Sequence, residues 1–403
     1  MKQKFFRKVL PNGMTVILEQ RDAPVVSVAF AVRSGGINES FGEKGISHFI
    51  EHLLYKGTSK RSSKDIAEEI EKKGGILNGF TDENITAFWC KMPSNHLDVA
   101  LDVLSDMVKN PRFDEKEVEK ERHVIFEEMK MYKDSPQHYV FEKIQGSLFE
   151  GPLGVPLIGT EKTLNSCSRE KIVERFEKTY RPENMILCVV GDADFETIVN
   201  FAKKTFPDKK KKSEVDFYKI VQRNHSGTEK RKGIDQASLV FAHHVPLLGT
   251  KGSYASVLLN TIMAGGMSSR LFQEIREKRN LAYGVKGGSE VNNDFGYNFV
   301  YVGTKKENVE KVRKLILEEF EKVSKDLTEG ELKQAKEEVL GNLQISMEDS
   351  QTQMVSLLHY EICGDAKAFY EIEKKINEVK ISDVRKLAKE TYKKYSFFSL
   401  VPE

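Results

Sequence analysis

The 403-residue chain is too long for one ordinary hydrophobic core, so two domains are expected. Charged residues make up 31% of it, yet 63 Lys and Arg nearly cancel 61 Asp and Glu, leaving a net charge of +2. That balance gives no overall field to draw in nucleic acid or an anionic membrane, and no run nears the ~18 apolar residues a bilayer crossing requires. Four scattered cysteines, Cys90, Cys167, Cys188 and Cys363, form no C-x-x-C pair and are read as reduced thiols. The opening MKQKFFRKVLPNGMTVILEQ lacks the apolar core of a signal peptide, so a cytoplasmic location is expected.

In chain order, apolar residues flank Asn12-Gly13, a hairpin signal. Val25 to Val32 alternates as a strand. After Ser34-Gly35-Gly36 comes a helix stopped near Gly57. Ser62-x-x-Asp65 starts a short helix that Gly74-Gly75 ends, and Ile76–Thr81 and Ile85–Met92 read as paired strands. Leu97, Ala100, Leu101, Leu104 and Val108 recur at helical spacing between Asn95 and Lys109. Asp114-x-x-Glu117 caps a longer helix reaching about Tyr132. The basic stretch from Phe206 to Gly233 reads as a solvated linker.

Beyond it the plan repeats. SREKIVERFEKTY followed by MILCVV closes the first half, and SDVRKLAKETY followed by FFSLV closes the second. Thr179-Tyr180 then aligns on Thr391-Tyr392, and Ile186 on Phe398, an offset of 212 residues. That is the size of a duplicated domain. Strands and helices mixed without strict alternation predict an α+β fold of two duplicated domains, each a largely antiparallel sheet packed with helices. The expected boundaries are 1–208, a linker over 209–232, and 233–403.

The stretch GISHFIEHLLYKGT, starting at Gly45, carries the chemistry. At about 100° per residue, Ile46, Phe49, Ile50, Leu53 and Leu54 fall on one side of a helix. His48, Glu51, His52 and Tyr55 fall on the other. Histidines one turn apart can share a cation, and Glu51 lies beside them without needing to ligate it. A catalytic zinc takes three protein ligands plus water, so a third ligand is sought. The helix DEKEVEKERHVIFEEMKMY offers Glu121 and Glu128 on one face, two turns apart. At about 10.5 Å separation along the axis they cannot both bind one ion, though one could hold a hydrogen bond in support.

H-x-x-E-H is the inverse of the H-E-x-x-H zinc signature. With HFIEHLLYKGT, the chain resembles the inverted zinc peptidases: pitrilysin, insulin-degrading enzyme and the mitochondrial processing peptidases, above all their short bacterial members. HFIEHLLYKGT is very like the family's H-F-x-E-H-x-x-F-K-G-T. The resemblance places a ligating Glu about 76 positions after the second histidine, which selects Glu128, and a supporting Glu seven residues earlier in an E-R context, Glu121-Arg122. GGMSSRLFQEIREKRNLAYGV is similar to the segment that brings an Arg and a Tyr to the substrate, here Arg276 and Tyr283. A helix capped by Ser268 or Ser269 is expected there. ILNGFTDENITAF is similar to the substrate-binding edge strand, implicating Asn78, Gly79 and Phe80; the family usually has Asn-Ala where this chain has Asn78-Gly79.

The resemblance implies a half-clamshell with a catalytic first domain and a second domain that supplies Arg276 and Tyr283. It implies a zinc endopeptidase holding one Zn²⁺ per chain on His48, His52 and Glu128, with Glu51 as general base. Glu121, Arg276 and Tyr283 would assist catalysis. The expected partners are unstructured peptide substrates in an enclosed homodimer chamber, with no nucleic acid and no membrane. Two other readings are a non-catalytic structural core subunit related to the processing peptidases and a zinc hydrolase acting on a non-peptide substrate.

Overall fold

The computed structural model describes residues 4–207 and 213–403. The lysine run Lys209–Lys212 and the first three residues lie outside the described residues. Two compact units emerge, each assembled from three stretches. The first takes Met1–Met129, Pro156–Tyr218 and Ser346–Phe369; the second takes Lys130–Val155, Lys219–Ile345 and Tyr370–Glu403.

The first unit is built on strands β1 (Lys4–Val9), β2 (Thr15–Gln20), β3 (Val25–Val32), β4 (Ile76–Thr81), β5 (Thr86–Pro93) and β6 (Met185–Gly191). Their order is β1-β2-β6-β3-β5-β4, antiparallel except where β2 meets β6. The β1–β2 turn needs glycine at position 13, where φ is +89° and a Cβ would lie 2.3 Å from that of Glu183. Every residue of β6 is buried, because this strand lies inside the sheet and a helix packs on it; hence its continuous apolar run. β4 is the end strand.

Helices α1 (Ile46–Leu54), α2 (Ser63–Glu71), α3 (Leu97–Lys109) and α4 (Glu115–Asp134) lie where spacing and caps place them, and α5 (Pro136–Leu148) follows α4 without having been expected. α1 buries Ile46, Phe49, Ile50, Leu53 and Leu54. The Ser62 hydroxyl and Asp65 carboxylate cap α2 reciprocally. Asp114 accepts from the amides of Lys116 and Glu117 at the head of α4.

The second unit is built on β7 (Ser226–Arg231), β8 (Ala237–His244), β9 (Ala282–Val291), β10 (Gly296–Thr304) and β11 (Ser396–Pro402), in the order β9-β10-β8-β11-β7. Only β7 and β11 run parallel. This repeats the first sheet's order without β1, so the fold is α+β with two similar halves. The register agrees: Ile186 sits opposite Thr15, and 212 residues later Phe398 sits opposite Gly227. Helices Arg169–Thr179 and Ile381–Thr391 are offset by the same amount. The basic stretch expected as linker contributes β7. This strand lies at the sheet's edge and no side chain along it is fully buried, which is why its composition reads as solvated.

One helix from each half packs with the other half's sheet. The late helix Ser350–Ile362 lies on β3 and β6, while the early α5 lies on β8 and β11. Each follows the long helix of its own half, α4 or Glu329–Ser346, so the exchange is reciprocal and each sheet keeps a cover. In the first unit, Gln353 donates to Glu19 and Ser350 bonds Ser27. The buried Glu361 accepts from Arg7 at 2.8 Å twice and from Arg33 at 2.8 Å. In the second, Tyr139 donates to Glu229, and Phe141 stacks on Tyr301.

Burial pushes the Glu361 carboxyl up, but hydrogen bonds from Arg7, Arg33 and the Ala366 amide outweigh it and leave it below the ordinary value. A depressed folded-state value means the carboxylate contributes stability above its unfolded value and loses that contribution as pH falls through the folded one. The wild-type chain should therefore lose stability on acidification below about pH 5 more steeply than Glu361→Gln, which has no such proton to take up. Denaturation midpoints for both chains from pH 7 to pH 4 measure this; parallel curves would exclude Glu361 as a source of acid sensitivity.

Candidate metal centre

The site starts at the head of α1. Gly45 adopts φ +93°, and a Cβ there would lie 2.4 Å from the Ile158 carbonyl oxygen, so glycine is required. The buried Glu39 carboxylate accepts from the amides of Gly45 at 3.0 Å and Ser47 at 2.7 Å. Two otherwise orphan helix donors are satisfied, with negative charge at the positive end of the helix. Lys44, fully buried, lies 3.8 Å from both Glu39 and Glu83 and donates to the Gly36 carbonyl at 3.0 Å. Burial pushes the Glu39 carboxyl above its ordinary range, against the pull of Lys44. Nothing in the sequence singles out Glu39, Lys44 and Glu83: their charged types predict exposure, Glu83 lies about forty residues beyond the other two, and the three form no capping box.

From that anchored helix, His48 and His52 project together, ring centroids 4.7 Å apart. Both Nε2 atoms face one oxygen of Glu128 on α4, at 3.8 Å from His48 and 3.6 Å from His52. One donor atom from each of the three residues lies within 4.8 Å of the others. Glu121, two turns earlier on α4, takes the other side of His52: its Oε2 is 3.2 Å from Nδ1, and its Oε1 is 2.7 Å from Lys56 Nζ. A carboxylate can only accept, so Glu121 is placed to take an Nδ1 proton of His52, which would leave Nε2, the nitrogen facing Glu128, free to ligate a cation.

The residues fit a tetrahedral zinc. Ligand bonds of ~2.0–2.1 Å put donor atoms about 3.4 Å apart, near the spacings here. Burial first, and neighbouring His52 second, lower His48 to about 3, so its imidazole is neutral near pH 7 with a lone pair to donate. Its Nδ1 is buried without a hydrogen-bond partner.

Glu51, between the histidines, is not among those donors. Its Oε2 accepts from the Thr81 hydroxyl at 2.7 Å, which ties it to the end of β4. Burial raises its carboxyl above the usual range, opposed by the Thr81 bond. Asn78, Gly79 and Phe80 lie on β4 beside α1; Asn78 is exposed and accepts from the Gly79 amide.

Arg276 and Tyr283 belong to the second unit. Arg276 lies at the end of a π-helical turn, Phe272–Glu277, its guanidinium 4.8 Å from the Phe272 ring centroid and 3.7 Å from Glu277. Neither Ser268 nor Ser269 caps that turn; the Ser269 hydroxyl donates instead to the Gly266 carbonyl. Tyr283 is the second residue of β9, the end strand of the second sheet and the counterpart of β4, and is 76% exposed, unlike a core phenol.

Residues 15–161 match the model of the insulinase family, peptidase family M16, and residues 166–339 match that of the peptidase M16 inactive domain. An uncharacterized zinc protease of Bacillus subtilis, YmxG, is 32% identical over 391 residues, covering 96% of this chain and 95% of its own. One of Rickettsia felis is 33% identical over 353 residues, covering 86% of this chain and 85% of its own. Among solved structures, a protease from Helicobacter pylori has a TM-score of 0.91 at 22% identity, covering 99% of this chain and all of that one. A peptidase M16 inactive domain from Pseudomonas fluorescens has a TM-score of 0.88 at 19% identity, covering 99% and 98%. At these identities the structures speak to fold alone.

Proposed function

This chain belongs to the insulinase family, peptidase family M16, as a member of the short bacterial type, and on that premise we propose that it is a zinc-dependent endopeptidase of unstructured peptides. The observation that carries the reading is the meeting of His48, His52 and Glu128 at one point, with an acid-base group, Glu51, beside them. His48, His52 and Glu128 would hold one Zn²⁺, and Glu121 would fix the His52 tautomer. Such an ion supplies Lewis acidity, lowering the pKa of a water toward neutrality and polarising a carbonyl.

The chain's own groups do the rest. Glu51 takes the proton of the attacking water and delivers it to the leaving amine. Its raised carboxyl suits both halves of that task. Thr81 holds Oε2 and so aims the remaining lone pairs. The peptide lies extended along the outer edge of β4 at Asn78–Phe80, bonded through its backbone, which favours unstructured segments over folded ones. Arg276 and Tyr283 orient the peptide and hydrogen-bond its carbonyl oxygen, acting in trans within a homodimer that encloses the substrate. No helix among the described residues is long and apolar enough to cross a membrane.

The test is direct. Purified chain should contain about one zinc, cleave members of an unstructured peptide library read by mass spectrometry, and lose metal and activity together on chelation. A zinc-loaded chain that cuts none of them would sink the reading. A light-scattering mass of one chain with full activity would sink the dimer.

A further inference from the structure

The Tyr55 hydroxyl is buried and has no hydrogen-bond partner. An orphan buried donor keeps its desolvation cost with nothing to offset it, so it calls for a reason. Tyr55 follows the last turn of α1 on the face that carries Glu51 and the histidines, and α1 packs on β4. The position a Cβ on Gly79 would occupy is 2.5 Å from the Tyr55 hydroxyl, 2.9 Å from the Ala87 carbonyl oxygen and 3.2 Å from Glu51 Oε1. The phenol and the base thus face the same small space, and that space is open to the phenol only because residue 79 has no side chain. The Tyr55 hydroxyl and the side-chain-free Gly79 therefore share one space.

We propose that Tyr55 is a positioning residue for the hydrolysis: with a peptide on β4, its hydroxyl donates to Glu51 Oε1, so that Thr81 and Tyr55 each hold one carboxylate oxygen. Each oxygen accepts one bond and keeps a further lone pair for the water's proton. Burial first, then the nearby Glu51 charge, raises the phenol's pKa, so it stays a donor throughout the neutral range. Gly79 is the enabling half of the pair. The proposal rests on the peptidase reading with Glu51 as base.

The experiment compares the full-length wild type, Tyr55→Phe, Gly79→Ala and the double variant. Its readouts are zinc per chain, Tm of the metal-free protein, and kcat and KM on one unstructured fluorogenic peptide. Tyr55→Phe should retain zinc, raise the metal-free Tm slightly because the orphan hydroxyl is gone, and lower kcat about tenfold at unchanged KM, as expected for an orienting bond made on the way to the transition state. Gly79→Ala alone should lower the metal-free Tm by roughly 5 °C through overpacking, and adding Tyr55→Phe should recover only the part due to the hydroxyl, since the Ala87 carbonyl oxygen still crowds the new methyl. Wild-type kcat in Tyr55→Phe would overturn the positioning role. Additive Tm changes would overturn the shared space. A wild-type chain that cleaves nothing would instead overturn the peptidase reading beneath the proposal, and it is told apart because the Tm cycle is read without metal or substrate.

Discussion

Glu51→Gln should lower kcat on an unstructured peptide by about 10²- to 10⁴-fold, the usual contribution of a placed general base, while the chain keeps about one zinc. Glutamine matches the carboxylate in size and can still accept from the Thr81 hydroxyl, so the local geometry survives. What disappears is the capacity to take up a proton. Because Glu51 is not among the three clustered donors, metal content and activity should separate in this variant, whereas they fall together when zinc is stripped. Zinc analysis beside steady-state kinetics makes the comparison. A zinc-loaded Glu51→Gln chain working at the wild-type rate would remove Glu51 from the proton path.

Lys44→Met should be among the most destabilising single changes in the first unit, at about 3–5 kcal/mol. Methionine matches most of the lysine stem but not the charge. Glu39 and Glu83, both buried, would lose the cation that lies 3.8 Å from each. Burial already raises the Glu39 carboxyl, and loss of Lys44 removes the chief opposing influence. A carboxyl whose folded value is raised contributes stability below its unfolded value and loses it as pH rises through the folded one. The deficit of Lys44→Met should therefore be smaller at pH 5 than at pH 8. Chemical denaturation at both values reads it, and an equal deficit would show that the lost charge acts elsewhere. Since Glu39 also caps α1, the same variant should bind zinc more weakly, because the histidine helix would no longer be held at its head.

Much of this was legible in the sequence because it is local. The i and i+4 spacing of His48 and His52, opposite the apolar face of Ile46, Phe49, Ile50 and Leu53, is a property of one helix and needs no fold to be read. The caps of α2 and α4 and the Asn12-Gly13 turn are short-range for the same reason. The duplication, too, was visible in its last helix and strand, since both halves keep the same local pattern at one offset.

What needed the tertiary structure is whatever depends on elements crossing. Spacing on α4 left Glu121 and Glu128 as alternatives on one face; the angle at which α4 passes α1 brings Glu128 to both Nε2 atoms and leaves Glu121 on the far nitrogen of His52. The exchange of α5 with Ser350–Ile362 is invisible to periodicity, because either helix offers an apolar face that either sheet could cover. The Glu39–Lys44–Glu83 cluster and the Tyr55–Gly79 contact join residues whose types predict exposure, or nothing at all. The chain's order of residues fixes which groups share a helix or a strand, since torsional and hydrogen-bond preferences act over a few residues. Which of those groups meet across elements is decided only when the two sheets bury their faces, because packing is non-directional and chooses partners by shape and by paired charge.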